Sequence, residues 1–301
     1  MIAGAVAGAA VLGWAEGVAV DLRGTVLICA LIVAGLLGAK YVRRDPARYR
    51  IADTLGTLAL VWLAGLVGGA ISLLGLRLHR PLADTWLHTF DNILGVDALQ
   101  FVGTFAHTPQ WLLAIMGAAY SYTVPVLFVG MGGLAVIDDS VEAWRAAFCF
   151  TGTLFSTCLI AMLTPAKGLG AWATAALMQA LPAGWACYFW PSFDEFYGGA
   201  HPVLRLGALS GVISFPSFHT AMGLIVMAMW RKRPRMLALA ATWFVPMLAA
   251  TIPIGGHYLV DLLGGAAVWA GWFALSLGLS GEHVASRDAP ARPQPRRSAR
   301  Q

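Results

Sequence analysis

Residues 51–76 read IADTLGTLALVWLAGLVGGAISLLGL, and after Asp53 no charged side chain interrupts them. About 20 predominantly apolar residues suffice for a helix to cross the roughly 30 Å hydrocarbon core of a bilayer. Comparable runs lie at 2–20, 24–39, 111–137, 145–163, 218–230, 236–254 and 258–279. The 301-residue chain is 58% hydrophobic and only 12% charged, with a mean hydropathy of +0.71. Soluble domains carry about 25% charged residues, so a soluble fold is excluded. The expected fold is all-α, a polytopic membrane helical bundle. Its first two spans are the least regular, because Glu16, Asp21 and Arg23 interrupt them.

The distribution of basic residues sets the orientation. Lys40, Arg43, Arg44, Arg48 and Arg50 share one loop; Arg145 follows; then come Arg231, Lys232, Arg233 and Arg235, and a tail with Arg287, Arg292, Arg296, Arg297 and Arg300. With eight spans these fifteen fall on one side, against Arg23, Arg77, Arg80, Lys167 and Arg205 on the other. The positive-inside rule makes the fifteen, and the C-terminus, cytoplasmic. A formal charge of +5 spread over short loops in this way orients a membrane protein and gives no footprint for nucleic acid. The N-terminus lacks the basic start and cleavage site of a signal peptide and reads as mature sequence.

Residues 171–190, AWATAALMQALPAGWACYFW, are long enough to span and uncharged. A crossing there would invert everything downstream and leave thirteen basic residues outside, and Pro182 would break a straight helix. The segment, within a stretch covering 164–210, is therefore expected as short helices at the outer interface. Residues 81–107 form a second non-spanning stretch. Trp86, Phe90, Ile93 and Leu94 follow helical spacing while Asp84, His88, Asp91 and Asn92 occupy other positions, which suits an interfacial helix. Asp84, His88, Asp91, Asp97 and His107 fit a solvated face better than a metal site. From Ala285 the Pro/Arg-rich tail has the composition of a disordered segment. Cys29, Cys149, Cys158 and Cys187 lie in apolar stretches without metal or redox spacing and read as small core hydrophobes.

Two histidines fall at the extracytoplasmic ends of parallel spans. His219 lies in SFPSFHTAMG and His257 in IPIGGHYLVDLLGG. Pro216 and Ser217 read as a helix start, with Ser217 able to cap free amides, and a helix N-terminus favours phosphate. His257 and Asp261 are four residues apart and share a helical face; a carboxylate there holds the imidazole in one tautomer, as in a catalytic triad. Gly255 and Gly256 let backbone approach a ligand closely. In soluble proteins a lone His-x-x-x-Asp is more often structural, but ionisable residues inside a span are costly and usually functional. From His219 to Trp230 a helix rises only about 17 Å at ~1.5 Å per residue, which suggests a recess below the outer surface. Asp53 and Glu16, alone in their spans, read as packing or orientation features.

At these residues the chain resembles the type-2 phosphatidic acid phosphatase superfamily, whose members carry Pro-Ser-x-His and a later His-x-x-x-Asp. Here these are Pro216, Ser217 and His219, then His257 and Asp261. SFPSFHTA and GGHYLVDLLGG look most like its inositolphosphotransferase (inositol phosphorylceramide synthase) branch. The resemblance implies a six-span core over 51–279, preceded by additional spans within 1–50 and followed by the basic tail 280–301. It implies a lipid-phosphate phosphatase or phosphotransferase, with water or an alcohol as acceptor and with no metal or other cofactor. His257 would be the nucleophile that forms a phosphohistidine, Asp261 would orient it, and His219 would serve as acid and then base. Ser217 and Gly256, with nearby amides, would bind phosphoryl oxygens.

The pattern also departs from the phosphatases. The Arg expected six residues before the second-motif His is Thr251, and Lys167 is followed seven residues later by Thr174 where an Arg would stand. The inositolphosphotransferase branch tolerates both changes. Lys167 and then Arg205 are the candidates for the phosphate-binding cation. Two other readings compete. Ser210-Gly211 with His257 superficially resembles an intramembrane serine protease dyad, one residue out of register. A transporter or lipid-binding protein could use His and Asp as a relay, although the polar residues gather at one face and do not line a path.

Overall fold

Helices make up about three quarters of the computed structural model, which describes residues 1–137, 139–209 and 211–279. The tail from 280 and Ser210 lie outside the described residues. The chain runs α1 (Ile2–Ala15), β1 (Ala19–Asp21), α2 (Thr25–Val42), α3 (Tyr49–Gly75), α4 (Asp84–Ile93), α5 (Ala98–Phe105), α6 (Gln110–Ser121) and α7 (Thr123–Val136). It continues through α8 (Ser140–Leu163), α9 (Ala175–Ala180), α10 (Trp190–Gly198), β2 (Val203–Arg205), α11 (Phe218–Met229), α12 (Pro234–Gly255) and α13 (Leu259–Leu279). Among the described residues α2, α3, α8, α12 and α13 are long and apolar enough to cross a membrane. The fold is an all-α polytopic bundle.

Three segments depart from simple spans. The helix expected over 2–20 stops at Ala15, and residues 19–21 pair in parallel with 203–205. Glu16, just past its end, lies 3.8 Å from Arg77. The expected span 111–137 is a bent pair, α6 and α7, meeting at 58°. Pro125 explains the break: it offers no N–H to the Ser121 carbonyl and its ring crowds that turn. Thr123 Oγ1 instead donates to the Tyr120 carbonyl at 2.7 Å. Residues 171–190 form no spanning helix; α9 is six residues long, capped by Thr174 at its start and ended just before Leu181-Pro182, where α conformation is disfavoured.

The short helix α11 occupies the centre, packed against α7, α8, α12 and α13. Its Met222, Ile225, Val226 and Met229 join Val61 and Ala64 of α3, Leu127 and Met131 of α7, and Phe150 and Leu154 of α8 in one core. A second core gathers Leu87, Val102, Met116, Ile254, Tyr258 and Leu262 around the turn between α12 and α13. α2 and α1 both pack on α3. Past the far end of α11, the buried Glu142 at the start of α8 pairs with Arg145, Arg231 and Lys232.

Candidate functional site

Local sequence places each motif at a chain reversal. Ser217 caps α11: its Oγ accepts from Thr220 N at 3.4 Å and from Thr220 Oγ1 at 3.2 Å. Its own amide donates to the Asp261 carbonyl at 2.9 Å, so backbone ties the two motifs together. α13 passes so close to the first motif that a Cβ on Gly265 would stand 3.0 Å from the Ser217 carbonyl carbon. α12 closes on Gly256 in the left-handed region at φ +70, a conformation that favours glycine. A Cβ there would also meet the Ala186 carbonyl oxygen at 2.7 Å.

Asp261, fully buried, holds the second histidine. Its Oδ2 lies 3.1 Å from His257 Nδ1 and accepts from Ser214 Oγ at 2.8 Å and Tyr258 N at 3.0 Å. Its Oδ1 is buried without a hydrogen-bond partner among the described residues. With Nδ1 engaged, Nε2 of His257 is the nitrogen left for chemistry. His219 stacks on Tyr120, with ring centroids 4.1 Å apart and planes inclined by 16°. The Tyr120 hydroxyl lies 3.3 Å from His219 Nδ1 and 3.2 Å from the Tyr188 hydroxyl.

Both histidines line one cavity of about 710 Å³. Tyr120, Tyr188, Gly255 and Ser72 share it, but most of its wall is apolar: Val61 and Trp62 of α3, Phe128 of α7, Phe150 and Leu154 of α8, and Phe218 and Met222 of α11. His257, His219 and Asp261 are thus brought together with the capped start of α11. Lys167 and Arg205 are not among the residues lining the cavity. Lys167 Nζ is 2.6 Å from Asp194 Oδ1 and sits over the Trp190 ring; Arg205 pairs with Glu195 at 2.9 Å. The Lys167 main chain is nonetheless close by, because Leu169 N donates to the Gly256 carbonyl at 2.6 Å. Thr251 is buried in α12 and donates to the Met247 carbonyl at 2.9 Å.

Two of the three acidic residues of 81–107 differ from the sequence expectation, while Asp97 is exposed as expected. Asp84 and Asp91 are buried. Asp84 accepts from Lys167 N at 3.0 Å, Gly168 N at 2.8 Å and the Tyr258 hydroxyl at 3.0 Å. Asp91 accepts from Leu259 N at 2.8 Å and Val260 N at 2.9 Å, capping α13 beside the second motif. Burial raises the pKa of both, and these hydrogen bonds oppose the rise. Burial and the neighbouring Asp84 charge raise that of the Tyr258 phenol. Helical periodicity finds a polar face but not whether that face meets water or main-chain amides. Ser214, Tyr120 and Tyr188 carried no sequence signal either, since nothing in their spacing links them to either motif.

Residues 85–275 match a family model described as the PAP2 superfamily. No curated protein and no solved structure is significantly similar to the chain. The matched stretch covers more than half of the sequence, contains both histidine motifs and runs from α4 into α13; this chain belongs to the PAP2 superfamily.

Proposed function

We propose that the protein moves or removes a phosphoryl headgroup on a membrane lipid through a phosphohistidine at His257, on the extracytoplasmic face. Membership of the superfamily points to phosphatase-type activity. The observation that carries the finer reading is the anchoring of His257 Nδ1 by a buried, multiply bonded carboxylate, with the second histidine on the same cavity. Nε2 would attack phosphorus as the bond to the leaving oxygen breaks, and His219 would deliver the proton that oxygen needs. Water or an alcohol would then attack, lose its proton to His219 and release His257 as the P–N bond breaks. The amides at the start of α11, capped by Ser217, and the backbone around Gly256 are the proposed cradle for phosphoryl oxygens.

Four finer points belong to the same reading. The predominantly apolar wall suits a lipid, and ~710 Å³ falls in the usual range of ligand cavities. The fifteen-to-five distribution of basic residues supports the extracytoplasmic side. Thr251 in place of an Arg favours the inositolphosphotransferase-like branch. Lys167 stays ahead of Arg205 as the phosphate-binding cation, because its neighbouring backbone touches Gly256; using it would require release from Asp194.

Purified protein incubated with a labelled lipid phosphate should yield a phosphoenzyme stable to base and labile to acid, lost in His257→Ala. An acid-stable label, or one that survives this substitution, would overturn the phosphohistidine. Incubation with a panel of lipid phosphates, with and without alcohol acceptors such as inositol, separates hydrolysis from transfer.

A further inference from the structure

The cavity that holds both histidines is far longer than a phosphoryl group needs. Its lining along α3 runs from Val61 and Trp62 to Ser72, and along α7 it ends at Phe128. Ser72 lies ten residues beyond Trp62. That is a rise of about 15 Å, the depth of one leaflet in a hydrocarbon core roughly 30 Å thick. Trp62 and Phe128 meet edge to face, with ring centroids 6.1 Å apart, at the end of the lining remote from the histidines. Between α3 and α7 the cavity opens sideways, where the lining residues Trp62 and Val124 are 41% and 45% exposed. Three glycines line α3 in between, and they differ. A Cβ on Gly68 would stand 2.5 Å from Leu154 and one on Gly69 3.2 Å from Leu209, whereas one on Gly65 would meet nothing within 4 Å.

We propose that this cavity is a slot for one hydrocarbon chain of the substrate, running along α3 from the histidines to Trp62 and Phe128, and that Gly65 sets which chains fit. The proposal rests on the lipid-phosphate reading above and adds the part of the lipid that is recognised besides its phosphate. A chain leaving the bilayer gains little from the hydrophobic effect on entering an apolar slot, because lipid tails are as apolar as the slot's own side chains. Discrimination therefore comes from shape. A chain that reaches the Trp62–Phe128 floor packs along the whole wall, whereas a short one leaves the lower part without contacts and loses their dispersion energy. Gly65, three residues above Trp62, is the point on α3 where the slot is kept open by the lack of a side chain. It lies outside the stretch 85–275 matched to the superfamily, so this determinant is separate from the histidine motifs.

Gly65→Leu puts a branched side chain across the slot at a position with room for it and suits a helix better than glycine does. With dihexanoyl and dipalmitoyl phosphatidate as probes in mixed micelles, kcat/KM for the long chain relative to the short one should fall roughly ten- to a hundredfold in Gly65→Leu. Gly65→Ala should lower that ratio less. Capture gives a readout that needs no turnover. Phosphatidate carrying a diazirine at the end of its palmitoyl chain, irradiated with the wild type, should label Trp62 or Phe128. Dipalmitoyl phosphatidate should displace that label far better than dihexanoyl phosphatidate, and Gly65→Leu should lose it. A chain-length ratio unchanged in Gly65→Leu, or labelling of Trp62 and Phe128 that is absent or indifferent to the competitor, overturns the proposal. The capture decides the slot even if no phosphoenzyme forms, while loss of the phosphoryl label in His257→Ala tests the phosphohistidine separately.

Discussion

At the histidine end of the bundle, the buried carboxylates of Asp84 and Asp91 accept hydrogen bonds from main-chain amides at 167, 168, 259 and 260. Past the other end of α11, the buried carboxylate of Glu142 meets the side chains of Arg145, Arg231 and Lys232. The bonding partners differ, and so does what they hold. An amide has one direction and no rotatable arm, so Asp91 fixes the path of the backbone between His257 and Asp261, and Asp84 that of the loop at 167–168 that packs on Gly256. Long cationic side chains adjust to their acceptor, so Glu142 fastens α8 to the turn after α11 without dictating a path. One end is built for placement and the other for attachment.

The contrast breaks most readily at Glu142. Glu142→Ala leaves three cations without their buried partner and should cost about 3–5 kcal/mol, read as thermal unfolding in detergent. Specific activity of the protein still folded should stay within about threefold; a loss of activity at unchanged stability would reverse the assignment of the two ends. Asp91→Ala removes the acceptor of two amides and should cost about 2 kcal/mol. Turnover should also fall roughly tenfold, because small misplacements of a reacting group are costly; an active but destabilised variant would make Asp91 a fastening like Glu142.

Acidity sharpens the comparison further. Burial raises the folded pKa values of Asp84 and Asp91 above the ordinary 3.8, so the folded state binds these protons more readily than the unfolded one. Their titration therefore contributes stability that is full below 3.8 and lost as pH rises through the raised values. Lowering pH from 7 toward 4 should widen the stability gap between wild type and the Asp84→Asn/Asp91→Asn double variant; a gap that narrows would contradict the burial of these carboxyls. The smallest effect is expected at Arg233, whose side chain is 37% exposed and 3.2 Å from Asp139. Arg233→Ala should change stability by less than about 1 kcal/mol, and a larger loss would extend the fastening network beyond Glu142.

Much of this was legible in the residues themselves. Apolar runs located the long helices, and the spacing of Ser217, His219, His257 and Asp261 singled out the elements that meet at the cavity. Pro182 correctly argued against a straight helix over 171–190. The bend at Tyr122 was equally written in Pro125, but an apolar run of spanning length conceals an interruption unless each proline is read against the carbonyl four residues earlier. Asp84 and Asp91 were misread because a polar face buried against main-chain amides has the same periodicity as one facing water. Ser214 reaches Asp261, and Tyr120 reaches His219, only through tertiary packing, across 47 and 99 residues respectively.

α3 lies wholly outside the matched stretch of 85–275, yet Val61, Trp62, Gly65, Gly68, Gly69 and Ser72 make one wall of the cavity. The histidines and this wall therefore come from different stretches of the chain. A lineage can vary one face of the chamber, and with it the shape of whatever the chamber admits, while the residues that would make and break bonds stay untouched. Substitutions along α3 would therefore reshape the chamber without touching either histidine motif.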